Sequence, residues 1–510
     1  MIGSVRDPGT GIGGRIVRRL WFAAAALAAG IPAAFGAPAD FAARRFRAAV
    51  ELEKAGQLEE ARRAYRQIVD MEGAEAWADD ALLALARLAW PVDDPEQLAD
   101  PPAGVGAATE ARGYLEALRQ RYPDSDAAPE GLWRLALLHL LPAPEHYDRE
   151  KATALLMTLP VVYPDSPRVP DALELAARLQ LAAGRTALAG KLAFRLRADW
   201  PDDPRAAGAA LTLARVALAE GRAEEALVEL GRARRLDRGT RVAAAALDLA
   251  TLVDRIRFGT QRSEPLYRPA GWLTLPERAA DLAADDDGRL YAALPRSGQV
   301  LAIEPDGGQR SVEAPGIAAV AVDAWGRLWT AGDAGVRAPG GVSFPLPDRS
   351  DPVALAPVAP GAVWVVDRRQ HAVLRVEAGA GVVARAALPS RSDPVRVIGS
   401  PDGGAVILLE AKTPMIVAVA ADGKSALRIS LGNLARDPVD IDRDELGDIY
   451  VLDARAPQVL LLSPRGEVIA RLPLPAEGEH SLARAACLAV DRSGRIAVHE
   501  TRRRGLQWFQ

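Results

Sequence analysis

Leu282-Ala283-Ala284-Asp285-Asp286-Asp287-Gly288-Arg289-Leu290-Tyr291 is echoed by Val320-Ala321-Val322-Asp323-Ala324-Trp325-Gly326-Arg327-Leu328-Trp329. Each stretch is an apolar alternating strand, a tight turn ending in glycine, and a second strand opening on an apolar and aromatic pair. Further copies are Val353-Ala354-Leu355 to Gly361-Ala362-Val363-Trp364 and Val395-Arg396-Val397 to Gly404-Ala405-Val406-Ile407. The last two are Val439-Asp440-Ile441-Asp442 to Gly447-Asp448-Ile449-Tyr450 and Leu488-Ala489-Val490-Asp491 to Gly494-Arg495-Ile496-Ala497. The marker glycines 288, 326, 361, 404, 447 and 494 are spaced by 38, 35, 43, 43 and 47 residues, the period of a propeller blade. Between markers lie two more strand-like segments, such as Val300-Leu301-Ala302-Ile303 and Val459-Leu460-Leu461-Leu462. Six copies predict a six-bladed β-propeller over residues 271–510. Blades three and four lack the aspartate that follows the first strand elsewhere.

The final copy runs out after three strands, Cys487–Asp491, Arg495–His499 and Gly505–Phe509. A ring needs a fourth, and Gly271-Trp272-Leu273-Thr274-Leu275 is placed to supply it, leaving fewer open edges.

Upstream of a polar linker, 259–270, the period changes from 2 to 3.6. Residues 39–258 are Ala- and Leu-rich with apolar positions at three and four, as helices packed on helices require. Tyr122-Pro123-Asp124-Ser125 recurs as Tyr163-Pro164-Asp165-Ser166 and as Trp200-Pro201-Asp202-Asp203. The aromatic closes one helix, proline forbids its continuation, and Ser or Asp caps the next, with Pro167 and Pro204 expected at the first helical position. A second unit, Ala55-Gly56-Gln57-Leu58-Glu59-Glu60-Ala61, is echoed by Glu220-Gly221-Arg222-Ala223-Glu224-Glu225-Ala226, with Ala182-Ala183-Gly184-Arg185 between them. Glycine ends the first helix of a pair and acidic residues start the second. Pro91 to Gly106 is expected to be a long loop. About five helix pairs are predicted, so the fold class is multidomain α plus all-β.

The helical half resembles tetratricopeptide repeats (TPR) of the degenerate "YPDS" type found in bacterial envelope proteins. The β half resembles the NHL family and its six-bladed relatives. These resemblances imply a solenoid groove and a propeller face that each hold a protein or peptide, hence a protein-binding scaffold of the cell envelope. Some six-bladed propellers are metal-dependent, lactonase-like hydrolases or lyases, which supplies the alternative function.

The first residues read as an address. Arg15, Arg18 and Arg19 precede the apolar run Leu20 to Phe35, and Ala34-Phe35-Gly36 offers small residues before Ala37. This is the pattern of a secretory signal peptide over residues 1–36, cleaved near Ala37, and predicts a periplasmic or secreted protein. An uncleaved anchor is the other reading, because the run approaches the length needed to span a bilayer. The 510 residues carry a net charge of −4 and show no basic patch, which excludes nucleic acid as a main partner. After cleavage the protein is not expected to be transmembrane, although a membrane-associated complex remains compatible.

No catalytic constellation emerges. His139, His146, His371, His480 and His499 are scattered without ligand spacing and are expected at the surface or in turns. Cys487, the sole cysteine, lies in an apolar run and reads as a small core residue. Asp440, Asp442 and Asp444 alternate along one strand and are weak candidates for calcium. The competing reading is ordinary hairpin chemistry before Gly447. No cofactor is expected.

Overall fold

The computed structural model describes residues 38–510 except 100–103, 142, 144, 260–264, 286, 324–325, 339–342, 345, 360–361, 378–379, 389–392, 400–403, 411–413 and 421–422. The expected signal segment lies outside the described residues. Among the described residues eleven α-helices precede twenty-four strands, β1 to β24 in chain order. The helices are α1 (Pro38–Lys54), α2 (Leu58–Val69), α3 (Glu75–Ala89), α4 (Val105–Arg121), α5 (Ala128–Leu138) and α6 (Arg149–Val162). They continue as α7 (Val169–Ala182), α8 (Thr186–Asp199), α9 (Arg205–Ala219), α10 (Ala223–Leu236) and α11 (Arg241–Val253). The strands form six four-stranded sheets. No helix among the described residues is long and apolar enough to cross a membrane.

Two local devices pair the helices. Gly56, Gly184 and Gly221 take φ of 74°, 72° and 77°, which only glycine adopts at little cost. The following N–H then reaches back five residues: Gln57 to Leu52 O, Arg185 to Gln180 O and Arg222 to Ala217 O, at 2.8–2.9 Å. This is a Schellman closure. The aromatics Tyr122, Tyr163 and Trp200 each donate their N–H to the carbonyl four residues back at 2.9 Å, closing α4, α6 and α8. The proline placement differs from expectation. Ser166 Oγ and Asp203 Oδ1 accept from Arg168 N and Arg205 N, and their carbonyls accept from Val169 N and Ala206 N. That turn uses one more residue before helical bonding begins, so Pro204 is the N-cap and Pro167 lies inside the turn. The segment 91–106 is also not all loop, since Pro95–Ala99 forms a 3-10 turn and α4 starts at Val105.

The chain divides after Leu85 into two compact units. In the first, Phe46 meets Tyr65 and Trp77 with ring centroids 5.4 and 5.2 Å apart, and Ala61, Ala64 and Ile68 are buried beside them.

In the second, residues 86–510, the inner strands are β2 (Asp281–Ala284), β6 (Ile317–Val322), β10 (Pro352–Ala359), β14 (Asp393–Gly399), β18 (Pro438–Arg443) and β22 (Ala485–Val490). They neighbour one another in ring order, β22 beside β2. The sixth blade is β22, β23 (Ile496–Glu500), β24 (Gly505–Phe509) and β1 (Pro269–Thr274), with Trp272 opposite Gln507 and Leu273 opposite Leu506. The expected closure is therefore present, starting two residues earlier than the predicted boundary at 271.

Four turns share one construction. Asp285, Asp323, Asp444 and Asp491 each accept, through Oδ1, the N–H four residues ahead at 2.9–3.1 Å. The other oxygen accepts from Tyr291 Oη, Trp329 Nε1, Tyr450 Oη or Arg495 Nε. The glycine three residues on has φ of 72–82°. The turn aspartate of blade five is thus Asp444, and Asp440 and Asp442 are additional to it.

The helices of this unit rest on the same turns. Arg241 pairs with Asp287 at 2.6 Å, Arg215 with Glu445 at 3.0 Å, Arg257 with Asp448 at 2.8 Å and Arg492 with Asp248 at 3.1 Å. Arg327 donates to Leu140 O at 3.3 Å. Leu249, Leu252, Val253 and Ile256 share a buried cluster with Tyr450, Leu488, Val490 and Phe509. Burial of this kind contributes roughly 1.5–3 kcal/mol per large side chain.

Arg327 and Asp323 have side chains that are 0% exposed and pair at 2.7 Å. Asp323→Ala removes the carboxylate that pairs with that buried guanidinium and should cost about 3–5 kcal/mol. Asp491→Ala, whose Arg495 partner is 30% exposed, should cost far less. Denaturant melts of the two variants read this ordering directly.

Candidate functional site

Strand register sets one level of the propeller channel. Asp281, Ala319, Ala354, Arg396, Asp440 and Cys487 occupy equivalent places, paired with Ala293, Ala331, Val366, Leu408, Leu452 and His499 of the second strands. Blade four stands opposite blade one in a ring of six. Arg396 therefore spans the channel, with Nη2 on Asp281 Oδ1 at 2.5 Å and Nε on Asp440 Oδ1 at 2.5 Å. The carboxylates also accept backbone donors from the next blade: Val320 N reaches Asp281 at 3.0 Å and Leu488 N reaches Asp440 at 2.6 Å. All three side chains are at least nine-tenths buried. One guanidinium cannot neutralise two buried carboxylates. Burial lifts Asp281 and Asp440 above the usual carboxylate range despite Arg396. Burial opposes the Arg396 charge, but the two carboxylates outweigh it and raise its pKa.

Above this plug lies a chamber of about 480 Å³. Its floor is the Asp281–Arg396–Asp440 network, its walls are the inner strands, and its roof is the C-terminal ends of α7 and α9. Leu282, Val320, Leu355, Ile398, Ile441 and Leu488 supply the apolar wall. Two residues beyond Asp440, Asp442 lines the wall and accepts Val490 N at 2.7 Å and Arg443 N at 2.8 Å, one on each oxygen. Poor solvent access pushes it up to about 7, against those two donors and reinforced by the Asp440 charge.

The three candidate carboxylates serve different ends. Asp440 is held by Arg396, Asp442 faces the chamber, and Asp444 is consumed by its turn, where burial and the neighbouring Asp448 push it upward. Sequence reading missed Asp281 and Arg396. An Asp-x-x-Gly alignment would have helped, since Asp281 precedes Asp285 by four residues as Asp440 precedes Asp444.

The histidine expectation is corrected in three cases. His139, His146 and His499 are buried and hydrogen-bonded within the fold. His139 Nδ1 bonds His146 O at 3.0 Å, and His146 Nε2 lies 3.1 Å from Thr109 Oγ1. Ala279 N donates to His499 Nε2 at 3.2 Å, leaving Nδ1–H for Gly505 O at 3.0 Å. His371 sits in a turn with φ 45°, and His480 stacks on Trp272 at 4.7 Å. Cys487 is buried, as expected of a core residue.

No protein-family model matches the chain, and no curated protein does. Solved structures do. A streptogramin B lyase is 14% identical, with 48% of this chain and 97% of that chain covered and a TM-score of 0.39. A catalytically inactive virginiamycin B lyase from Staphylococcus aureus with quinupristin is 15% identical, covering 46% and 82%, with a TM-score of 0.35. The Cps50 (Swd1) β-propeller domain of Myceliophteria thermophila is 8% identical, covering 48% and 99%, with a TM-score of 0.36.

Folding raises Asp442 from its ordinary 3.8 to about 7, so the folded state binds this proton more tightly than the unfolded chain. Its contribution to stability is fully present below the unfolded value and is lost as pH rises through the folded one. The melting temperature should fall between roughly pH 4 and pH 7, and Asp442→Asn should make that fall shallower. Melts across this range provide the measurement.

Proposed function

We propose that the protein is an exported, non-enzymatic scaffold of the cell envelope, a TPR-like array joined to an NHL-like propeller, whose partner is a protein or peptide. The observation that carries this is an apolar row on the second helices of successive pairs. Val161 and Val162 on α6, Phe194 on α8 and Val228 on α10 are 74%, 56%, 57% and 59% exposed. These helices lie side by side: Arg195 donates to Pro160 O at 3.3 Å, and Arg197 pairs with Glu229 at 2.7 Å. Large side chains left in water along a contiguous line favour a protein contact. Because α7 and α9 roof one mouth of the channel, the propeller's own partner surface is assigned to the opposite face.

The hydrolase reading asks for carboxylates converging on one metal. Asp440, Asp442 and Asp444 are directed instead to an ion pair, a chamber wall and a turn. That division of labour favours the scaffold.

Two measurements test the proposal. The exported form should begin at Ala37, read by amino-terminal sequencing of protein recovered from the periplasm or medium. The purified chain should capture a defined set of proteins from cross-linked envelope extract. Val161→Asp with Phe194→Glu should reduce that capture about tenfold, the effect of ~1.4 kcal/mol, at unchanged melting temperature. Equal capture by wild type and variant would remove the apolar row from the account, and no capture at all would overturn the scaffold.

A further inference from the structure

The chamber has a charge arrangement that the scaffold reading does not use. Its roof cations each have a carboxylate: Arg215 pairs with Glu445 at 3.0 Å, and Arg178 sits one helical turn from Glu174 and attracts it. The rim arginine Arg492 is matched by Asp248. The floor is not balanced. Asp281 and Asp440 share the single guanidinium of Arg396, and Asp442 stands on the wall, attracted by the neighbouring Arg443 but with no cationic side chain hydrogen-bonded to it. Each Asp442 oxygen has accepted one backbone N–H, and a carboxylate oxygen can accept a second. A carboxylate in a poorly solvated space with hydrogen-bonding capacity left over favours a positive guest that can donate to it.

The volume and wall chemistry define the guest further. About 480 Å³ is within the range of small-molecule pockets, which combine apolar walls with a few placed polar groups. Among the described residues, no three carboxylate or imidazole donors of the chamber converge as metal ligands would. We propose that the chamber binds a small organic cation, an ammonium, amidinium or guanidinium group carried on a compact apolar body. The cationic head hydrogen-bonds the free lone pairs of Asp442 above the Arg396 plug. The apolar body lies against Leu282, Val320, Leu355, Ile398 and Leu488. Ala219 is exposed at the C-terminal end of α9 and also lines the chamber, which places it at the entrance.

Isothermal titration of the full mature chain with benzamidine, phenethylamine and benzoate tests the assignment. Benzamidinium or phenethylammonium should bind at one saturable site, and benzoate should not bind. Asp442→Asn should weaken the cation about tenfold or more. Ala219→Trp, at an exposed position that leaves the core intact, should block entry and abolish binding at an unchanged melting temperature. Absence of saturable binding by both cations, equal binding of benzoate, or indifference to both substitutions would overturn the proposal. Each of these results would leave the scaffold reading untouched, because that reading rests on the outer helices.

Discussion

The pairing of β1 with β24 is the constraint on which the second unit depends. With its blade one strand short, β24 would expose a further row of unpaired backbone donors and acceptors. Here the missing strand comes from the opposite end of the propeller sequence, immediately after the helices. Closing the ring therefore also fixes where the helical chain enters. The last helix is delivered against blades five and six, where Leu252 comes so close to Gly494 that a Cβ there would lie 2.5 Å from Leu252 Cδ1. Glycine at that turn thus serves both the positive φ and the helix contact.

The Asp-x-x-Gly turns carry a second duty as docking points. The aspartate ties its own loop with side-chain and backbone donors, which makes the loop rigid enough to present charged neighbours at fixed positions. Asp287, Arg327, Asp448 and Arg492 are then available to the helices. Salt bridges with exposed partners add little stability, typically up to about 1 kcal/mol each. Their value here is in register: they set which turn each helix meets, while the apolar cluster supplies most of the burial energy. Blades three and four have no such aspartate, and the ion pairs from the helices described above fall on blades one, five and six.

Symmetry of the backbone makes the asymmetry of the channel informative. Six equivalent positions carry Asp, Ala, Ala, Arg, Asp and Cys, so the ring offers one level at which a long cation can meet two carboxylates. The two alanines leave room for Arg396 to cross. Building a plug from charged groups is no strong source of stability. It leaves a polar floor beneath apolar walls, and the helices above convert an open channel mouth into a chamber.

The sequence by itself determined the features that depend on neighbours along the chain. Glycine spacing gave the number of blades, and Gly288, Gly326, Gly447 and Gly494 take the positive φ that their turns use. The three strands of the last repeat pointed to Gly271 to Leu275 as the strand placed to close the ring, and β1 pairs with β24 there. Gly56, Gly184 and Gly221, with the Tyr-Pro-Asp-Ser units, marked the helix pairs. Tertiary structure alone decided what lies opposite what. Arg396 and Asp281 meet only because blades four and one face each other at the same register level, and nothing local to either residue encodes that. Asp440, Asp442 and Asp444 look alike in sequence, yet an ion pair, a chamber and a turn separate them within five residues. The burial of His139, His146 and His499 was equally hidden, because their hydrogen-bond partners are set by packing. The covering of the channel mouth by α7 and α9 follows from where closure anchors the chain, a relation among distant segments that periodicity cannot express.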